Sequence, residues 1–228
     1  MKISVIYPIC GLPPSDPNGM PHSFLLGSLD SILAAGSQNF ELLVGIDGDR
    51  PWVLAFLRYW AARHQIRPEQ MRIVPMAFSG TYGNRQRNLL MKLATGDYIS
   101  FLDHDDAYNP GAFDAIDNIA RQAPGRPIFF KMNVYQFQST EAPRSEPFTL
   151  WRQETLGHIV QAMVGGHMFV VPNRQDLLSI WPTSIYEADY HFIRNTVDNF
   201  REHGIEPVWA DFVISEVRPW ARWWNGLA

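Results

Sequence analysis

At 228 residues, 46% of them hydrophobic and 18% charged, the chain has material for one sizeable core and is expected to form a single domain. A formal net charge of -4 argues against a dedicated nucleic-acid binder, whose contact surface would be basic. The lone cysteine, Cys10, excludes an intramolecular disulfide, and no run approaches the roughly 20 apolar residues of a membrane span.

Met1 to Cys10 lacks the apolar region of a signal peptide and is interrupted by Pro8, so a soluble cytoplasmic protein is expected. Ile3 to Tyr7 is an apolar run of strand length. Gly11 to Pro21 is a loop rich in Pro and Gly, longer than a strand-to-helix connection needs. Ser23 to Ala35 carries Leu25, Leu29, Ile32 and Leu33 on one helical face and stops at Gly36. Glu41 to Ile46 is the next strand, and Pro51 opens a helical pattern over Trp52 to Arg63. A short strand over Met71 to Pro75, a loop over Phe78 to Gly83 and a helix over Arg85 to Thr95 lead to strand Tyr98 to Leu102.

Beyond this point the pattern predicts a helix over Pro110 to Arg121, a strand over Ile128 to Phe137 and a turn over Glu141 to Pro147. Gly165-Gly166 then introduces a strand over His167 to Val171, followed by a short helix through Ile180. Asp189 to His203 reads as a helix closed by Gly204, and Pro207 to Val217 as a final strand. Strands alternating with helices argue for a three-layer α/β domain.

The strand Tyr98 to Leu102 ends in three carboxylates, Asp103, Asp105 and Asp106. The tips of strands in an open α/β sheet border its ligand crevice. Carboxylates this close repel one another unless a cation or a proton relieves them. A divalent cation does so with hard oxygen ligands, and completes its shell with phosphate and water. Asn109-Pro110-Gly111 follows, so an acidic turn is the plainer alternative; strand, acids and following helix agree with one another in favour of the site.

The spacing Arg87-Asn88, then Ala94-x-Gly96-x-Tyr98-Ile99-x-Phe101-Leu102-Asp103-x-Asp105-Asp106, strongly resembles the family 2-like glycosyltransferases of the GT-A fold. Lys2 to Pro8 resembles the opening strand of that family, and Ser31-Ile32 with Phe40 to Asp49 its first helix and second strand. The likeness covers the first half of the chain well and the second half loosely. Two departures stand out: Ile46 takes the place of the first of two acids, leaving Asp47 alone, and Leu90 stands where Gly is common.

The resemblance implies a three-layer GT-A-like (Rossmann-like) α/β domain over residues 1–228 with a mostly parallel central sheet. Residues 1–106 would bind the donor, a nucleotide-diphosphate sugar, and residues 107–228 would build the acceptor side. It implies a metal-dependent transfer to the hydroxyl of a glycan, a lipid-linked molecule or another acceptor, with inversion. Asp103 and Asp105 would hold Mn2+ or Mg2+ against the donor phosphates. Whether Asp106 ligates directly, through water, or instead bonds the sugar is left open. Tyr7 and Pro8 would frame the nucleotide pocket, Asp47 would accept from the base, and Arg87 would lie beside the nucleotide with Asp103. Core packing for Tyr7, a turn at Asp47-Gly48 and a surface ion pair for Arg87 are the structural alternatives. Asn88 ties its helix to a loop.

Inverting transfer needs a base. Tyr186 to Arg194 resembles the acidic-pair motif of the family at a helix start. Asp189 aligns with the usual base, Ala188 replaces the preceding Glu, and Glu187 is the reserve. An acid at a helix N-terminus is also an ordinary cap. His104 is expected on the opposite face from its neighbouring acids, and His167 reads as a satisfied structural histidine. Cys10 reads as a small buried residue. Trp220, Trp223 and Trp224 share a helical face near Arg218 and Arg222, fit for packing, an acceptor sugar or peripheral membrane contact. Two other readings compete. A nucleotidyltransferase would need a Gly-rich basic loop that Gly11 to Pro21 lacks, whereas a non-catalytic sugar-nucleotide or glycan binder is kept open by Ala188-Asp189.

Overall fold

Two runs without polar alternation set the centre of the fold. Ile3–Ile9 (β1) and Phe40–Asp47 (β2) are buried at every position, as strands covered on both faces must be. They pair in parallel, Ile3 opposite Phe40 through Ile9 opposite Ile46. The structure is a computed structural model that describes residues 1–12, 20–36, 39–136, 144–150, 158–185 and 187–220.

Among the described residues the sheet has nine strands. The others are Met71–Met76 (β3), Tyr98–Phe101 (β4), Ala107–Tyr108 (β5), Ile128–Val134 (β6), Phe148–Leu150 (β7), Phe169–Pro172 (β8) and Val208–Val217 (β9). Their order is β3-β2-β1-β4-β8-β6-β9-β5, with β7 alongside β6. β3, β2, β1 and β4 are parallel; β8 runs antiparallel to both β4 and β6, and β9 runs parallel to β6. Six strands therefore point the same way, and most of the paired length is parallel. Their C-terminal ends, together with the entry to β8, share one edge.

Five helices cover the two faces. Met20–Ala34 (α1), Pro51–Arg63 (α2) and Ala112–Gln122 (α4) pack with Val5, Tyr7, Val44 and Ile128 in one hydrophobic cluster. Asn84–Leu93 (α3) and Ala188–Glu202 (α5) pack with Ile6, Leu43, Phe101 and Phe169 in the other. This is the expected three-layer α/β arrangement with a mostly parallel central sheet.

The short helix expected through Ile180 is absent. Residues 175–177 form a turn, with Leu177 N–H donating to Arg174 O at 2.8 Å. Neighbours claim the donors that would continue a helix: Ser179 N–H bonds Thr196 Oγ1 and Trp181 N–H bonds Asn88 Oδ1. Pro182 further biases Trp181 towards extended backbone. The strand expected from His167 begins at Phe169, after a 3-10 turn over Gly166–Met168. β6 ends at Val134, short of the expected Phe137, which lies outside the described residues together with Glu141 to Pro143 and most of Gly11 to Pro21.

At the opposite edge of the sheet, Glu41 gathers the N-terminal ends of the strands. Its buried carboxylate accepts from Lys2 Nζ (3.0 Å), Ser4 Oγ (2.6 Å), Thr95 N and Oγ1 (2.5 and 2.7 Å) and Gly96 N (3.0 Å). Burial pushes its pKa up, but these donors outweigh burial and bring it from 4.5 down to about 2. A depressed carboxylate contributes stability that is complete above its unfolded pKa and is lost as pH falls through the folded one. Urea titration of Glu41→Gln should show a loss of about 2 kcal/mol at pH 7. Between pH 4.5 and about 2 the gap to the wild type should close; a gap independent of pH would show that the charge contributes nothing.

Candidate functional site

β4 runs straight into the acids. Leu102 N–H donates to Ile6 O (3.1 Å), fixing the strand tip to β1, and Asp106 N–H turns back to Asp103 O (3.1 Å). Ser28 Oγ of α1 holds the same Asp103 carbonyl at 3.2 Å. One tight turn thus presents three carboxylates at the shared edge.

Each acid meets a different cationic group. Asp103 accepts a short bond from Arg87 Nη2. The Arg87 guanidinium also donates to Tyr82 O (2.9 Å) and Asn84 Oδ1 (3.0 Å), and lies 4.8 Å above the Trp181 ring. Trp181 in turn stacks on Phe192 at 4.4 Å. Asn88 bonds both Trp181 N and Trp181 O at 2.8 Å, so it ties α3 to the loop before α5, as expected. Asp106 is buried, with Oδ1 accepting from Arg218 N–H (2.8 Å) and Oδ2 lying 2.8 Å from His167 Nε2. His167 Nε2 is also 3.5 Å from Asp103 Oδ2. Asp105 faces Arg218 Nε at 3.3 Å.

These contacts set the charges. Burial pushes Asp103 up, but Arg87 and then His167 outweigh it and hold the carboxyl well below the usual range. Burial opposes a charged His167, yet Asp106 and Asp103 raise its pKa well above 6.5. Asp106 itself is raised by burial, against the pull of His167. His167 Nε2 also lies 3.2 Å from the Asp103 amide. One nitrogen cannot donate to Asp106 and accept from that N–H; the shorter contact and the two carboxylates favour donation to Asp106.

Asp103, Asp106 and His167 each offer a ligand atom, and these atoms lie within 4.8 Å of one another. Two carboxylate oxygens and an imidazole nitrogen suit Mn2+, and the grouping fits a divalent cation, which binds the deprotonated forms of these groups. Of the three acids expected at the metal, Asp103 and Asp106 are in this group, and His167 joins them where Asp105 was expected. His167, read from sequence as structural, joins the acids because Gly166 lets β8 enter close to them. A Cβ at Gly166 would lie 2.9 Å from the Trp181 ring. His104 lies within electrostatic reach of Asp103 but outside this group.

Asp189 lies in the first turn of α5, and its Oδ2 accepts from Gly166 N–H at 3.0 Å. It is therefore tied to the segment that carries His167. Glu187 is exposed at the N-cap without a side-chain capping bond; its neighbour Tyr186 lies outside the described residues. Asp47 is buried and holds the loop after β3, accepting from Ser79 N (2.8 Å), Ser79 Oγ (3.0 Å) and Gly80 N (3.3 Å). Tyr7 is fully buried, and burial raises its pKa, with a further push from the acids. Pro8 lies under the turn at Gly83, beside Arg87. Burial, reinforced by Asp103, pushes the Cys10 thiol up to about 12, so it is no nucleophile at neutral pH. Trp220 packs against Phe24 of α1, with ring centroids 6.0 Å apart, while Trp223 and Trp224 lie outside the described residues. No described helix is long and apolar enough to cross a membrane.

A family model described as glycosyl transferase family 2 matches residues 21–174. Among solved structures, S. aureus TarS 1-349 superposes with a TM-score of 0.68 at 16% identity, over 95% of this chain and 60% of that one. The same protein in complex with UDP-GlcNAc gives 0.64 at 15% identity, over 95% and 58%. Mannosyltransferase PcManGT from Pyrobaculum calidifontis, in complex with GDP-Man and Mn2+, gives 0.61 at 14%, over 94% and 56%. The chain thus spans less than two thirds of the length of these proteins, and at such identity the likeness establishes the fold. No curated protein sequence matches it significantly.

Removing Arg87 would leave Asp103 without the cation that does most to hold it ionised. Arg87→Met should lower unfolding stability in guanidinium chloride by about 3 kcal/mol, the scale for a broken buried pair. A change within about 0.5 kcal/mol, the range of ordinary surface substitutions, would mean that Asp103 is neutralised by something else.

Proposed function

This chain belongs to glycosyl transferase family 2, and on that premise we propose that it moves a sugar from a nucleoside-diphosphate donor to an acceptor hydroxyl, with a divalent cation and with inversion. The carrying observation is the Asp103, Asp106 and His167 group at the edge where six strands end, with Asp189 bonded to the same Gly166-His167 segment. The complexes of the structural neighbours with UDP-GlcNAc, and with GDP-Man and Mn2+, are consistent with it.

In this reading Asp103, Asp106 and His167 hold Mn2+ or Mg2+. The cation would act as a Lewis acid for the departing diphosphate. Arg87 fixes the orientation of Asp103, and its stack on Trp181 keeps it from following the ligand. Asp47 shapes the Ser79-Gly80 loop as one wall of the nucleotide pocket, with Tyr7 and Pro8 beneath the site. Residues 1–106 supply the donor side and residues 107–228 the acceptor side of one domain.

Asp189 acts as the base. Its Oδ2 is held in place by Gly166 N–H, and Oδ1 takes the proton of the attacking hydroxyl. Glu187, one turn edge away and exposed, is the reserve. The acceptor is a glycan, a lipid-linked molecule or another hydroxyl compound, and the lone cysteine fits a reducing, cytoplasmic setting.

Two measurements test this. Calorimetric titration with Mn2+ should give a single site that His167→Ala weakens at least about tenfold; unchanged affinity would remove His167 from the metal. Asp189→Asn should still bind UDP or GDP with Mn2+, yet release nucleoside diphosphate from UDP-GlcNAc or GDP-Man at least about 100-fold more slowly than the wild type. Full turnover in that variant would move the base elsewhere.

A further inference from the structure

Arg218 is the first residue past β9, and three features of its placement need a common reason. Its backbone is left-handed, with φ +51°, a conformation that L side chains rarely adopt. Its N–H nonetheless reaches Asp106 Oδ1 at 2.8 Å while its Nε lies 3.3 Å from Asp105 Oδ2. The segment is also fixed on either side. Tyr135 N–H donates to Val217 O at 3.1 Å, and the Trp220 ring lies so close to α1 that a Cβ on Gly27 would be 2.6 Å from it. A strained residue held at both ends over an acid cluster is an outlier that points to function.

The three acid–cation pairs are unequal. In two of them at least one partner is buried: Arg87 is 7% exposed against 28% for Asp103, and Asp106 3% against 11% for His167. The Arg218 and Asp105 side chains are 30% and 38% exposed. Solvent weakens such a pair, and it exchanges readily for a stronger partner. Arg also presents a planar fork that matches phosphate oxygens in a bidentate way.

We propose that Arg218 is a binding residue for the donor diphosphate, held over the site by Asp105 until the phosphates arrive. This rests on the glycosyltransferase reading above. The guanidinium turns from Asp105 to the phosphate oxygens and shares with the cation the charge that grows on the leaving group. Asp105 is then the holder of Arg218 and not a ligand of the metal. Because the Asp106 contact comes from the backbone of Arg218, removal of the side chain leaves that bond in place.

Calorimetry on the full chain separates these roles, with UDP, GDP, UMP and GMP as probes, each with Mn2+, and Mn2+ alone. Arg218→Ala should weaken whichever diphosphate binds the wild type by at least about 30-fold, a loss in the range for a charge-assisted contact. Its affinity for Mn2+ and for the matching monophosphate should change less than about twofold. Arg218→Lys should recover part of the loss, which guards against a folding defect in the Ala variant. Asp105→Asn should leave Mn2+ affinity unchanged and bind the diphosphate as well as the wild type or better. Equal diphosphate affinity in Arg218→Ala and wild type overturns the inference and leaves the functional reading standing, as does loss of Mn2+ binding in Asp105→Asn. A wild type that binds neither diphosphate with Mn2+ overturns both.

Discussion

Three carboxylates within four residues at a strand tip would drive that turn apart if left to themselves, and the architecture around them is an answer to that repulsion. Arg87 comes from α3, His167 from the entry to β8, and Arg218 from the end of β9. They converge because β1, β2, β3, β4, β6 and β9 run the same way, which places the C-terminal ends of these six strands on one edge. The antiparallel β8 delivers its start to that same edge.

The three cationic groups differ in how firmly they are held, and this difference gives the site its chemistry. Arg87 is locked by two further acceptors and by the Trp181 face, and Trp181 is itself pinned by Asn88 and Phe192. His167 is held at Nε2 by Asp106, 2.8 Å away, in a position from which it could ligate a divalent cation. Arg218 is the most exposed and sits on a strained backbone. The proposed site would therefore hold its shape without ligand and still have room for a dication and a diphosphate. At the far edge, Glu41 secures the starts of the same strands, so the stage on which the acids sit is fixed from both ends.

The first half of the chain was legible because its central strands are buried and bounded by turn residues. β1, β2, β4, α2 and α3 lie within about two residues of their expected bounds, the ordinary uncertainty of element ends. β5 and β7, of two and three residues, carry no period to read. The expected helix near Ile180 failed for a tertiary reason: side chains of α3 and α5 take the backbone donors that a helix would use. At the site, the acids announced themselves by adjacency, but their partners did not. His167 lies 61 positions beyond Asp106 and Arg218 a further 51. The only local hint was Gly165-Gly166 before an apolar run, a place where a backbone can approach closely. Asp47 was legible as a strand-tip acid, while its grip on Ser79 and Gly80 depends on a loop whose path sequence does not specify.

The central claim is that Asp103, Asp106 and His167 together hold a divalent cation beside a nucleoside diphosphate. Pulsed electron paramagnetic resonance on Mn2+-loaded protein with UDP or GDP, prepared with 15N-labelled histidine, tests it in one experiment. Bound Mn2+ should couple to one histidine nitrogen and to phosphorus, with the nitrogen coupling missing in His167→Gln. A spectrum of hydrated Mn2+ with neither coupling, or a nitrogen coupling that survives in His167→Gln, would contradict it.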